Sequence, residues 1–246
     1  MLGGRRRKSW AGQYREHLLA SLRFLMTSKS VSSYARGLAT SCGLAFTQLQ
    51  RSGSEDWELS MEPWSIELLE NPTTRGQEEC REIVMAARIL AASGELKYQT
   101  IPASIIIGPQ CFVHQPPWSA ADDNSGRRVA IRRMHFDYDA TVTQWSRSHL
   151  QIGGNPAELA TLGKYHFAMS KDPSEPRIPY PIYDLIIVLD LMLREFATNL
   201  TLPQEPAWRA LVRGSEELLL RPYFQRVHDH LQSSSGQPLA DFLAQS

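Results

Sequence analysis

Residues 127–140, RRVAIRRMHFDYDA, decide the fold. From Met134 onward the stretch alternates: Met134, Phe136 and Tyr138 fall on one side of an extended chain, and His135, Asp137 and Asp139 on the other. A period of two marks a strand with one face in a core and one face polar. Three nearby stretches are similarly short and strand-like: IPASIIIG at 101–108, SHLQIGG at 148–154 and KYHFAMS at 164–170. Gly, Pro, Asn or Asp separates them, which predicts an antiparallel meander rather than repeated strand–helix units. The polar, turn-rich QPPWSAADDNSG at 115–126 reads as a loop joining IPASIIIG to RRVAIRRMHFDYDA.

Helices are expected on both sides of this centre. Tyr14, Leu18, Leu22 and Leu25 share one face of a helix over 14–26, flanked by Arg15 and Arg23. Docking on the rest of the chain is favoured over a membrane surface or a partner helix. A weaker helix covers Ser32–Gln50, and DWELSMEPWSIELLE reads as extended or mixed around Pro63, with Trp57 and Trp64 packed. Gln77–Ala92 is expected to be a helix, with Ile83, Ala87 and Leu90 on one side, Arg81 and Arg88 on another, and Gly94 as its stop. The proline-rich PSEPRIPYP at 173–181 is extended and feeds a helix over Ile182–Phe196. That helix is apolar on most sides and carries Asp184 in its first turn, where a carboxylate suits the helix dipole. Helical segments then run from Glu205 to His230, broken near Pro222.

A central, mainly antiparallel sheet between N-terminal and C-terminal helices is an α+β fold. The segments expected are a basic helical one at 1–50, an α+β core at 51–200 and a helical one at 201–246 packed on that core. Three scattered cysteines, Cys42, Cys80 and Cys111, argue against a disulfide framework and a cysteine zinc site, so a reducing cytoplasm is the expected location. The longest apolar run, IYDLIIVLDLML, is interrupted by Asp184 and Asp190, so no membrane span is expected. The basic run Arg5–Lys8 lacks the apolar region of a secretion signal.

Formal net charge is zero, which removes a global electrostatic argument for nucleic acid. Charge is nevertheless segregated. The first fifty residues hold eight Lys or Arg and one acid, and the next fifty hold ten acids and five bases. Local pairing on a solvated surface is the favoured explanation, with opposed faces for partners as the other. Arg5, Arg6, Arg7, Lys8, Arg127 and Arg128 are the candidates for nucleic acid or a protein partner, with Trp118 and Trp145 available to stack on bases. Arg132 and Arg133 point to opposite faces of a regular strand, which interrupts any single patch.

The polar face of the middle strands is where chemistry is sought. His149 and Gln151 alternate with Leu150 and Ile152, and His166 stands between Tyr165 and Phe167. Were these strands neighbours with matched faces, His135, Asp137, His149 and His166 would converge. Such a set can hold zinc, manganese or iron, or supply an acid and a base, and Arg177 can add a charge for phosphate. The spacing matches no zinc-protease pattern, and a structural or interface role for the face is favoured. Cys111 with His114 matches no nucleophile motif, and the Ile152–Asn155 stretch reads as a tight turn.

RMHFDYD, SHLQIGG and PRIPYPIYDLIIVLDLMLREF, in that order, resemble DUF2290, a family of uncharacterised bacterial proteins, over about residues 133–196. His135, Asp137 and Asp139 match the family's aromatic-and-aspartate strand, and Ser148 and His149 its Ser-His strand. Arg177, Ile178, Pro179 and Pro181 match its Arg-Ile-Pro segment, and Phe196 its helix end. The stretch Asn155–Pro176 does not align, and Ala197 stands where a second aromatic is expected. The resemblance implies mobile or defence-associated gene clusters and no established activity. The same pieces suggest a network in which His149 bonds Asp137 or Asp139 and Arg177 clamps the same acid, fixing the sheet to the long helix. The expected function is a non-enzymatic subunit or adaptor of a bacterial multi-protein assembly, of the anti-phage defence kind, with another protein subunit as partner and no cofactor. The alternatives are a metal-dependent hydrolase or nuclease in which a divalent cation activates water, and a nucleic-acid-binding module.

Overall fold

A computed structural model describes residues 8–32, 34–68, 80–108, 129–142, 146–153, 166–167, 177–197, 200–233 and 236–245. Helix α1 (Trp10–Thr27) starts at Ser9, whose Oγ accepts a hydrogen bond from the Gly12 N–H at 3.1 Å. Its Tyr14, Leu18, Leu22 and Leu25 are all buried, as their helical spacing requires. The short α2 (Lys29–Ser32) and β1 (Ala35–Arg36) precede Gly37, whose φ of +76° lies in the left-handed region. Helix α3 (Leu38–Arg51) starts there, several residues later than expected.

The strands are β2 (Trp57–Leu68), β3 (Cys80–Ala92), β4 (Glu95–Gly108), β5 (Val129–Asp139), β6 (Ser148–Ile152), β7 (His166–Phe167) and β8 (Arg177–Pro179). They form one eight-stranded sheet in the order β1-β2-β3-β4-β5-β6-β8, with β7 pairing β5 in parallel and every other pair antiparallel. In β2 the register shifts between Met61 and Trp64, the stretch that holds Pro63, which has no N–H to give a ladder. Helix α4 (Leu185–Phe196) follows, then a 3-10 turn (Leu202–Gln204), α5 (Pro206–Ser215), a π-helical turn (Glu216–Leu220), α6 (Arg221–Gln232) and α7 (Leu239–Gln245). The fold is α+β, with an antiparallel sheet between N-terminal and C-terminal helices.

Residues 80–92, expected to be helical, are instead the strand β3, hydrogen-bonded to β2 and β4 on its two sides. Its Ile83, Met85, Ala87, Ile89 and Ala91 face the helices, while Glu82, Val84 and Ala86 are buried on the opposite face. Over 82–87 both faces are covered and no polar alternation shows, returning only at Arg88–Ala91, and Met, Ala, Arg and Leu are good helix formers.

One hydrophobic core runs from Ala11 to Leu219, joining α1, α3, α4 and α5 to one face of the sheet. Leu185, Ile186, Val188, Leu189, Met192 and Leu193 of α4 are fully buried, and each contributes about 1.5–3 kcal/mol by burial. That total outweighs the weak helix propensity of the Ile and Val residues. Asp184 is the N-cap rather than a first-turn residue, its Oδ1 accepting from the N–H groups of Ile186 (3.0 Å) and Ile187 (2.9 Å). Among the described residues no helix is long and apolar enough to cross a membrane.

Candidate functional site

The strand register brings two of the expected site residues together. Asp137 pairs with Thr100 of β4 on one side and with His149 of β6 on the other. Both side chains stand on the sheet face away from α4, and His149 Nε2 lies 3.8 Å from Asp137 Oδ2. His149 is buried, and Asp137 keeps partial access to solvent. The distance is beyond that of a hydrogen bond, and the contact is an ion pair only where the imidazole is protonated.

His135 sits two register pairs further along on the same face, between Pro102 and Gln151. Burial, then the Arg133 charge, then His149 lower its pKa to about 3, so its imidazole is neutral at physiological pH. Its buried Nε2 has no hydrogen-bond partner among the described residues. Arg133, also buried on this face, donates from Nη1 to the Gly153 carbonyl at 2.8 Å and closes the end of β6. Arg132 is exposed on the other side.

The remaining candidates do not join this row. Asp139 closes the turn after β5, where its Oδ1 accepts from the Thr141 N–H (2.8 Å) and from Thr141 Oγ1 (2.6 Å). The strand of His166 does not follow β6 in a meander. It pairs with β5 at Val129 and Ala130, and Val129 is six residues before His135. At the rise of an extended chain that is roughly 20 Å, which separates the two positions. The expected convergence of three neighbouring strands is therefore corrected to two. Arg177 pairs with Gln151, two register pairs from His149. The side chains of His166 and Arg177, and all of Arg5, Arg6, Arg7, Arg127, Arg128, Cys111, His114, Trp118, Trp145 and the 115–126 loop, lie outside the described residues. Lys8 is paired with Glu16.

Nor does the His149–Asp137 pair fix the sheet to the long helix. Phe136, on the other face, does that. Its ring stacks on Tyr183 (6.0 Å between centroids, 12° between planes) and meets Tyr180 at 6.1 Å. The Arg-Ile-Pro segment serves by pairing with β6 and delivering these two tyrosines.

Among the described residues no group of three His, Cys, Asp or Glu has the geometry to hold a metal ion. No family model, curated protein or solved structure matches this chain. The reading of the site therefore rests on its own geometry.

That geometry includes a polar cluster that sequence reading missed. Ser215 Oγ donates to Asp184 Oδ2 at 2.6 Å and lies 2.7 Å from His17 Nε2. Burial raises the Asp184 pKa, opposed by the Ser215 bond, His17 and the two backbone donors. Burial lowers that of His17, opposed by Asp184. A hydrolytic triad needs the imidazole between hydroxyl and carboxylate, so that it can take the hydroxyl proton. Here the hydroxyl stands in the middle, its proton directed to the carboxylate, and both Ser215 and Asp184 have no solvent exposure. The arrangement ties α1, α4 and α5 together. His17 and Ser215 are 198 residues apart, and no local pattern announces such a contact.

Proposed function

We propose that this chain is a non-enzymatic adaptor subunit of a bacterial multi-protein assembly, and that it engages a helix of its partner protein through α6. The carrying observation is an apolar seam. Leu220, Phe224, Val227 and Leu231 recur at intervals of four, three and four, the spacing by which one helix receives the knobs of another. Phe224 is 54% exposed and Leu231 63% exposed, while Tyr223 on the inner side is buried and anchors the helix. Arg221, paired with Glu217, and His228 flank the seam and give it a polar rim. An anti-phage setting rests on the family resemblance alone.

The test is co-purification with the products of adjacent genes, read by light scattering after size exclusion. A stoichiometric complex is expected, and Phe224→Asp with Leu231→Asp is expected to weaken it at least about tenfold, as loss of central apolar anchors does, with an unchanged circular dichroism spectrum. A monomer that binds none of these products, or a complex indifferent to the double substitution, overturns the proposal. A homodimer lost on the same substitution overturns it too, by making a second copy the occupant.

A further inference from the structure

A cleft of about 570 Å³ opens between the Gly94 turn, the ends of β4 and β5 and the junction of α5 with α6. Its lining divides into two chemistries. Trp10, Leu96, Ile182 and Leu218 form an apolar wall, and Lys97, Tyr138, Arg147 and Arg226 form a polar one. The carboxylate that lines it, Glu95, is held by Lys97, with Nζ to Oε2 at 2.7 Å. Arg147 and Arg226 have no carboxylate within ion-pair distance among the described residues, and the buried Nε of Arg147 has no hydrogen-bond partner among them either. The Tyr138 phenol feels the charges of Arg147 and Arg226, and also those of the Glu95–Lys97 pair. Burial keeps it protonated, so it is a donor rather than a rival anion.

Two guanidiniums without a carboxylate partner, which can only donate, and a phenol that can donate beside them suit an oxyanion. A bare inorganic ion would leave the apolar wall wet and most of the volume unfilled, whereas clefts of this size commonly hold small organic molecules. We propose that the cleft binds a small organic anion, its carboxylate or phosphate on Arg147 and Arg226 and its aromatic or branched apolar body against Trp10 and Leu218.

The experiment is calorimetric titration of the full chain with 1-naphthyl phosphate and with 1-naphthoate, which separate the two possible heads. Saturable binding of at least one is expected, about tenfold or more tighter than inorganic phosphate and than uncharged 1-naphthol. Arg147→Met and Arg226→Met are each expected to weaken it about tenfold, the loss of one charge-assisted contact. Replacing Arg5, Arg6, Arg7 and Lys8 together by Gln is expected to leave it unchanged. Should Arg147→Met fail to fold, Arg226→Met carries the test, since Arg226 is exposed on its helix. No saturation with either probe overturns the proposal, as does equal binding by the Arg226→Met variant, equal binding of either control ligand, or loss on replacing the N-terminal basic run.

Discussion

Trp10 Nε1 donates to the carbonyl oxygen of Leu218 across 3.1 Å. Leu218 lies four residues before Pro222, and in an α-helix the N–H at that position would satisfy its carbonyl. Proline has no N–H, so the first residue of α1 supplies a donor to the π-helical turn that precedes Pro222, near the far end of the chain. Trp10→Phe keeps the ring and removes the donor, and it should cost about 1 kcal/mol in urea unfolding. In a Pro222→Ala background, where the backbone offers its own N–H, the same substitution should cost less. An identical cost in both backgrounds would mean that the indole bond and the proline are unrelated.

Ser215 is the only link between Asp184 Oδ2 and a donor that the described hydrogen bonds provide. Ser215→Ala strands a carboxylate oxygen with no solvent exposure and removes the partner of His17. A loss of about 1–3 kcal/mol in chemical denaturation is expected, because an unmet buried acceptor forfeits its desolvation cost. Ser215→Thr, which keeps the hydroxyl, should recover part of it. An Ala variant as stable as the parent would show that the three helices are held by apolar packing alone.

Gly214 gives a test in which two effects have opposite signs. It lies inside α5, where Gly→Ala ordinarily adds up to about 1 kcal/mol of helix stability. A Cβ at this position would lie 2.8 Å from His17 Cε1 and 2.9 Å from its Nδ1. The ring is held by Ser215 and cannot retreat without breaking that bond. Gly214→Ala is therefore expected to destabilise by about 1–3 kcal/mol, the cost of overpacking. In a His17→Ala background it should be neutral or stabilising. A stabilising effect in the parent would show that the imidazole moves freely.

These contacts also mark how far the sequence is legible. Tyr14, Leu18, Leu22 and Leu25 announce α1, and the Phe136/Asp137 alternation announces β5, because each element has one wet face and one dry face. The same logic placed Asp137 and His149 on a shared face, and the β5–β6 register sets them side by side. It failed for β3, where Val84 and Ala86 are buried along with Ile83 and Met85 and the period of two is lost over the first half of the strand. It failed for His166 because strand order is a long-range property, and nothing local to KYHFAMS says that it returns to the Val129 end of β5. His17, Asp184 and Ser215 were illegible for the same reason: three helices must pack before three ordinary polar residues become one cluster.

The last prediction concerns acid. His135 has a folded-state pKa of about 3 against an ordinary 6.5, chiefly through burial. Below pH 6.5 the unfolded chain takes up a proton that the native protein refuses until about pH 3. Stability from this group is thus complete above the unfolded value and falls as pH drops through the interval. Between pH 7 and pH 5 the loss is about 2 kcal/mol by proton linkage. His135→Gln removes the titration, and subtracting its unfolding free energies from those of the parent isolates the effect, since His17 and Asp184 remain in both. The parent should lose its relative stability steadily on acidification. A difference that stays flat from pH 7 to pH 5 would mean that the imidazole takes its proton in the native sheet, and that the face around it is wetter than its neighbours Arg133 and His149 imply.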